Sequence, residues 1–227
     1  MFYRPTKPQH LICFKQWTAN MVVDIIMSAM NLKYRHRDTH ATRLDVLSDI
    51  KVMILEEVNQ PLLSMAVSKA ATLLGAYDVS IADKMVWEYD YLGKTHASIQ
   101  SLATVMAIMK CPVSPLLSKA SEDMTSQTAT HSTACSSLEE VLQNTSVVIA
   151  GPTTSKKDKI SEFRITPEDI STRTCSHWIF FHTCPRGPEV DDKMFYHYNA
   201  RTFRAFENFH YIAASLMAYT TKQHTFS

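Results

Sequence analysis

Three things are scarce in this chain of 227 residues: long apolar runs, an excess of either charge, and cysteines spaced as pairs. The longest apolar runs, such as 102–109 (LATVMAIM), fall well short of the ~20 residues that a membrane-spanning helix needs. No membrane partner is expected. Lys and Arg number 23 and Asp and Glu 22, a net charge of +1, so no basic field exists to recruit a nucleic acid. The cysteines stand at 13, 111, 135, 175 and 184, scattered, with no C-x-x-C pair among them. That arrangement argues against a disulfide framework and against a structural zinc site, and it suits a reducing compartment. What is present, 45% hydrophobic and 20% charged residues, is the composition of an ordinary globular protein with one large domain or two small ones. The N-terminus reads two ways. Arg4, Lys7 and Lys15 precede the first acid, Asp24, as in a mitochondrial presequence. Pro5 and Pro8 interrupt any amphipathic helix there, and a strand-like Leu11-Ile12-Cys13-Phe14 begins at once.

Residues 18–37 have helical periodicity. Thr18 is placed to cap the helix, and Met21, Val22, Ile25, Ile26, Ala29 and Leu32 form an apolar stripe. The cluster Lys33, Arg35, His36 and Arg37 suits a helix C-terminus. Lys51 to Leu55 reads as a buried strand. A second helix starts near Asn59 with Pro61 in its first turn and stops at Gly75. Val79 to Ile81 reads as another strand and 96–109 as a third helix, a β–α–β–α alternation proper to an open α/β domain. From 118 to 137 the chain is rich in Ser and Thr and lacks periodicity, as in a linker. Beyond it come a short helix at 137–143, a strand at Ser146–Ala150 ended by Gly151-Pro152, and a Lys-rich polar segment. A helix capped at Thr166, a strand at 178–182 and a closing helix at about 207–221 complete the pattern.

One stretch reads like a site: HWIFFHTCPRGPEVDDKMFYH, 177–197. An apolar strand ends on His182, Thr183, Cys184, Pro185 and Arg186. His182 and Cys184 suggest a catalytic pair, but alternate residues at a strand end also cap or fill a core. Cys175, His177, His182, Cys184 and His197 assemble on paper into a metal site, yet their spacing fits no standard ligand pattern, and neither a metal nor a cofactor is expected. Arg186 with Asp191 or Asp192 makes a simple structural ion pair. The aromatic-rich tail reads mainly as helix and loop packed on the first domain; any part left uncovered becomes an association surface.

This stretch, followed by ARTFRAFENFHYIAASLMAY, resembles the C-terminal signature of ornithine carbamoyltransferases. In that family a central strand ends in His-Cys-Leu-Pro-Arg and continues Lys-Pro-Glu-Glu-Val-Asp-Asp. His182, Pro185, Arg186, Pro188, Glu189, Val190, Asp191, Asp192, Phe195 and Tyr196 follow that pattern with a one-residue gap. HLICFKQWTANMVVDIIMSAMNLKYR, KVMILEEVNQPLLSMAVSKAATLLGA and SSLEEVLQNTSVVIAGPTTS are similar, more loosely, to the family's earlier segments. The resemblance implies two α/β domains, assembly as a homotrimer with sites between subunits, and transfer of a carbamoyl group from carbamoyl phosphate to ornithine, giving citrulline. It implies residence in the mitochondrial matrix, with the cytoplasm as the alternative.

The residues depart from that chemistry. A dianionic phosphate must be held by N–H groups and guanidinium forks, which the family supplies as Ser-Thr-Arg-Thr-Arg at a helix N-terminus. The matching positions are Gln60, Pro61, Leu62, Leu63 and Ser64. Both arginines are absent, and Pro61 deletes a donor. Nothing between Pro112 and Thr125 matches the family's His-Pro-x-Gln, and Lys110 offers no fork where an arginine is expected. AGPTTS, at 150–155, replaces the segment that grips ornithine, and the glycine turn of the ornithine domain is missing. In the final motif, Thr183 takes the family's Cys position and Cys184 its Leu position, one residue out of register and thus on the other face of a strand. By resemblance His182, Pro185 and Arg186 are the substrate-binding positions, and Thr183 and Cys184 the displaced catalytic ones.

The expected fold is therefore α/β and carbamoyltransferase-like, with two open parallel-sheet domains, the second reduced. Residues 1–117 form a carbamoyl-phosphate-binding-like domain and 118–137 a polar linker. Residues 138–227 form a reduced ornithine-binding-like domain whose C-terminal helix packs back on the first. The expected function is that of an ornithine carbamoyltransferase homologue without catalysis. An active ornithine carbamoyltransferase with altered site residues, binding carbamoyl phosphate and ornithine, is the alternative.

Overall fold

The computed structural model describes residues 17–39, 44–55, 61–76, 78–82, 105, 108, 109, 137–151, 164–174, 176–184 and 186–227. The strand expected at 11–14 and the polar linker up to 136 lie outside these residues. So do the Lys-rich segment and all but three residues of the third helix. The chain divides into two compact units: one of 1–92, 97–111 and 207–227, the other of 93–96 and 112–206.

In the first unit, helix α1 spans Ala19–Thr39. The Thr18 hydroxyl accepts the Met21 N–H at 3.3 Å, satisfying one of the donors that a helix start leaves open. His36 and Arg37 lie in its last turn, where the helix dipole favours cations. Strand β1 (Lys51–Leu55), helix α2 (Pro61–Leu73) and strand β2 (Asp78–Ala82) follow. The two strands pair in parallel with Lys51 opposite Asp78, so α2 is the crossover such a pair requires. Pro61 opens α2 at no cost, because its missing N–H has no intrahelical partner there. The helix ends in a Schellman motif: Ala76 N–H donates to the Ala71 carbonyl and Gly75 N–H to that of Thr72, both at 3.0 Å. Gly75 has φ 79°, a backbone region that penalises any side chain. The carbonyls of Leu73 and Leu74 accept the N–H groups of Leu44 and Leu47, so the loop after α1 completes the end of α2.

The core of this unit gathers Leu32 from α1, Leu47 from the loop and Leu74 after α2 with Tyr211, Ala214 and Ala218. Those last three belong to the C-terminal helix, Thr202–Lys222, which lies in this unit from Glu207 onward. Each fully buried leucine contributes about 1.5–3 kcal/mol. Trp17, Met21, Val22 and Ile25 form a neighbouring cluster with Val105, Ile108 and Met109. Ile26, assigned to the same stripe from the sequence, is instead 42% exposed. It lies one residue, about 100° of helix rotation, past Ile25, which carries it off the buried face.

In the second unit, helix α3 (Leu138–Leu142) is capped by Ser137, whose hydroxyl accepts the Glu140 N–H at 3.2 Å. Strand β3 (Val147–Ala150) pairs in parallel with β4 (Ile179–His182), Val148 opposite Phe180 and Ala150 opposite His182. Those four side chains are buried, while Val147 and Ile149 are exposed on the other face. Helix α4 (Pro167–Arg173) starts with a reciprocal capping box: Thr166 Oγ1 accepts the Asp169 N–H at 3.2 Å, and Asp169 Oδ2 accepts the Thr166 N–H at 3.1 Å. The Thr166 hydroxyl, together with Arg173, holds the Asp169 carboxyl below the usual carboxylate range. Helix α5 (Asp192–Phe195) is capped by Asp191, which accepts the Met194 N–H at 2.8 Å. Helix α6 is Thr202–Lys222 and begins five residues before the sequence pattern suggested. Its first turn is polar and aromatic, so its apolar periodicity is silent there, yet Ala205 N–H already bonds to the Arg201 carbonyl.

Replacing Thr166 by Ala removes the bond its hydroxyl accepts from the Asp169 N–H and the one it donates to Asp169 Oδ2 at 2.7 Å, and we expect a loss of about 1 kcal/mol of stability, read from urea unfolding. Because the Asp169 carboxyl titrates below its unfolded value, its contribution is full above the unfolded pKa and fades as pH falls through the folded one. An unchanged midpoint in Thr166→Ala would show that the box carries no stability.

Candidate functional site

The parallel strands β3 and β4 end side by side at Ala150 and His182, and the Thr183 N–H donates to the Ala150 carbonyl at 2.9 Å. In open α/β sheets the carboxyl ends of the strands are where ligands bind. His182, Thr183, Cys184 and Arg186 lie there; Pro185 and Gln60 fall outside the described residues. Pro61, Leu62, Leu63 and Ser64 form the first turn of α2 in the other unit.

His182 is fully enclosed: its side chain has no solvent exposure, and that of Glu189 has 3%. Its ring is saturated with partners. Nδ1 accepts the Cys184 backbone N–H at 2.9 Å, which places the ring proton on Nε2, 3.0 Å from Glu189 Oε1. The same Oε1 accepts the Gly187 N–H at 2.6 Å. Burial pushes the imidazole pKa down and Arg186 adds to this, against the opposing pull of Glu189, so the ring is neutral at pH 7. The His182 backbone N–H donates to Thr202 Oγ1 at 3.0 Å, and Thr202 is itself buried.

The loop is shaped by these bonds. Cys184 adopts φ 54°, a left-handed turn that aims its N–H at the imidazole and costs a non-glycine residue about 1 kcal/mol or more. Gly187 lies so close to the carboxylate that an added Cβ would stand 2.6 Å from Glu189 Oε2. Val190 forms an isolated parallel bridge with Ile165, and the Ile165 N–H bonds to the Glu189 carbonyl at 3.0 Å. Arg186 turns outward: Nη1 lies 2.5 Å from Asp192 Oδ1, and its guanidinium carbon is 4.9 Å from the centre of the Phe195 ring. Asp192, the largest influence, raises the guanidinium pKa further.

Chemically this is a closed device. His182 has no free nitrogen and no path to solvent. Burial, the first influence, raises the Cys184 thiol pKa; Glu189 adds to it and Arg186 opposes, leaving a protonated thiol rather than a nucleophile. Thr183 is exposed, with its backbone N–H committed to β3. The face-alternation argument for Cys184 reaches only as far as His182, where β4 ends; beyond it the left-handed turn sets the direction. Asp192 rather than Asp191 pairs with Arg186, while Asp191 caps α5 and lies 4.0 Å from Arg164. Among the described residues no three of His, Cys, Asp or Glu converge as metal ligands. His197 is stacked on Trp178 at 4.8 Å, and Cys175 is outside the described set. Of the aromatic tail, Phe195 and Tyr211 are buried, whereas Tyr196, Tyr198, Phe203 and Phe209 are exposed.

Sequence reasoning missed Glu189 and Thr202 as partners of His182. The Gly187-Pro188 turn was the available signal for Glu189, since it lets a residue just beyond it fold back on the strand end. Thr202, twenty positions from His182, left no such signal.

Gly187→Ala forces the buried carboxylate away from its donors and is expected to cost about 2 kcal/mol or more, read from thermal unfolding. His182 takes up a proton near 6.5 when unfolded but resists it when folded. Its contribution is therefore full above that pH and falls as pH drops through the folded value. His182→Asn should be less stable at neutral pH and lose less on acidification; equal acid sensitivity in both proteins would contradict the neutral, buried imidazole.

No protein-family model matches the chain. No curated protein matches it in sequence. Solved structures do match in fold. An ornithine carbamoyltransferase from Burkholderia thailandensis E264 superposes with a TM-score of 0.74 at 13% identity, over 94% of this chain and 99% of the other. A mitochondrial ornithine carbamoyltransferase from Coccidioides immitis gives 0.73 at 14% identity, over 96% and 99%. An aspartate transcarbamoylase from Trypanosoma cruzi gives 0.71 at 12% identity, over 93% and 95%. Parallel strands with crossover helices, two compact units and these superpositions together establish that the chain has the carbamoyltransferase fold.

Proposed function

We propose that this chain is a homologue of the ornithine carbamoyltransferases that has kept the fold without carbamoyl transfer and acts through binding or assembly. The observation that carries this reading is the state of Arg186. It is the one clearly retained phosphate-contacting residue of the resemblance, and it is paired with Asp192 and laid over Phe195. An exposed ion pair of this kind is worth ~0–1 kcal/mol, so the pairing alone does not bar a ligand. The obstacle is its company. A dianionic phosphate drawn to Arg186 meets the Asp192 carboxylate, and the positions that should supply further cations are Leu62 and Ser64. Removing one preorganised hydrogen-bond donor from an active site typically costs about 2.7–4 kcal/mol of transition-state stabilisation. His182, enclosed and neutral, and Cys184, half-buried with its thiol pKa raised, supply no base or nucleophile in their place.

The fold neighbours include enzymes named for ornithine and for aspartate, so the acceptor amine is part of the proposal rather than of the fold. Assembly as a homotrimer belongs to the same reading, as does the mitochondrial matrix, which one neighbour's description supports. No helix among the described residues is long and apolar enough to cross a membrane.

The test is citrulline and carbamoyl-aspartate formation by the purified protein from carbamoyl phosphate with ornithine or aspartate. We expect the uncatalysed background with either amine, unchanged by Arg186→Ala. Carbamoyl phosphate should also leave the unfolding midpoint where it was, whereas a ligand at a hundred times its Kd would add about 2.7 kcal/mol. Robust turnover that Arg186→Ala abolishes would overturn the proposal in favour of an active carbamoyltransferase.

A further inference from the structure

Three helices of the first unit bring basic side chains together around Tyr211. This tyrosine is buried on α6, and the ring of His210 beside it lies 3.9 Å away, centre to centre. From α1, the His36 ring is 5.8 Å from the phenol ring, and His36 Nδ1 meets the Tyr211 hydroxyl at 2.8 Å. Lys33 Nζ, also from α1, lies 5.9 Å from the same ring. From α2 comes Lys69, one residue before Ala70, which shares a buried core with Tyr211. The dipole at the end of α1 accounts for His36 and Arg37 in its last turn. It does not account for Lys69 on another helix or for His210 in the first half of α6.

The cluster is short of negative charge. Burial pushes the His210 imidazole pKa down, and Lys69, His36 and Lys33 push it further. Among the described residues Glu207 alone opposes them. Its carboxylate is already divided between Lys33, at 3.4 Å, and Arg37, so it has little left to offer a third cation. Several donors remain open. Among the described residues, Lys69 Nζ, His36 Nε2 and the ring nitrogens of His210 have no hydrogen-bond partner. Lys69 is exposed and the two histidines are half-buried, so the spot is reachable from water. Cations held together in this way repel one another until an anion joins them.

We propose that Lys69, His210 and His36 form a binding site for a dianionic oxyanion, free phosphate or the phosphate group of a small ester, whose entry is coupled to proton uptake by His210. Donors from three helices suit an anion with several oxygens, and its second charge offsets the one that the histidine gains. By linkage, an anion that favours the charged imidazole binds more tightly in acid. Lys69 stands eight residues, about 12 Å, along α2 from Pro61, so the site is separate from the altered phosphate positions. Near neutral pH His210 is uncharged and the site contributes little, which keeps it apart from the carbamoyl phosphate test.

Isothermal titration calorimetry of the full chain with sulfate, inorganic phosphate and glycerol phosphate tests this. Sulfate is a dianion with no proton of its own to lose, so it isolates the protein's titration. It should bind at least tenfold more tightly at about pH 5.5 than at about pH 8. Titrations in buffers of different ionisation enthalpy should show proton uptake on binding. Lys69→Gln should weaken binding about tenfold, and its exposed position leaves the fold intact. His210→Gln should weaken binding in acid and remove most of the pH dependence. Lys193→Gln, an exposed cation of the other unit, should change nothing. Whichever of inorganic phosphate and glycerol phosphate binds more tightly in acid names the source of the anion. No saturable binding of any of the three, equal affinity at both pH values, or affinity that Lys69→Gln and His210→Gln leave unchanged would each overturn the proposal.

Discussion

A histidine and a glutamate removed from water must satisfy one another, and most of the second unit is arranged so that they can. Burying either group without partners would cost several kcal/mol. His182 and Glu189 avoid that cost with two backbone N–H groups, from Cys184 and Gly187, in addition to their own contact. The requirement fixes the path of the intervening loop. It demands the left-handed turn at Cys184 and excludes a side chain at Gly187. It also delivers Val190 to its bridge with Ile165 and Asp191 to the start of α5. Arg186 is carried outward as a consequence. The segment that looks most like a reactive cluster is thus held by a structural demand that any replacement of His182 or Glu189 would disturb.

The elements legible in the sequence are those specified by neighbours in the chain. Thr18, Pro61 with Gly75, and Thr166 mark helix ends through bonds spanning three to five residues, and each appears where the local chemistry places it. Apolar periodicity located α1 but put Ile26 on the wrong face, because a helix with apolar residues all round gives no contrast by which to orient it. The start of α6 was hidden for the opposite reason: its first turn carries no apolar stripe. Glu189 was easy to miss as a partner of His182 because the contact depends on a loop folding back, for which the Gly187-Pro188 turn was the one signal, and a run of acids near a turn ordinarily means a solvated surface. Alternation holds along β4, where Phe180 and His182 are buried, but the face argument for Cys184 fails because the strand has ended.

Identity near 13% alongside TM-scores above 0.7 shows how little particular sequence the fold requires. A core accepts any apolar residue of suitable volume, so strands and helices persist through wholesale substitution. A phosphate site accepts few alternatives to arginine forks and open N–H groups. Pro61 illustrates the separation: it is a favourable opening residue for α2, and under the proposed reading the N–H it lacks is one that a phosphate there would need.

The bond from the Phe226 N–H to Ser28 Oγ, 2.9 Å long across 198 positions of sequence, has a consequence for how the protein is made. The first unit cannot close its core until α6 and the residues after it have left the ribosome. Until then, Leu32, Ala70 and Leu74 wait without Tyr211, Ala214 and Ala218. Topology of this kind slows folding, since long-range loop closure must precede the contacts that reward it. The nascent chain therefore carries an open apolar surface until those distant partners emerge, and its yield in a cell should depend on chaperones that shield such surfaces as much as on the stability of the finished fold.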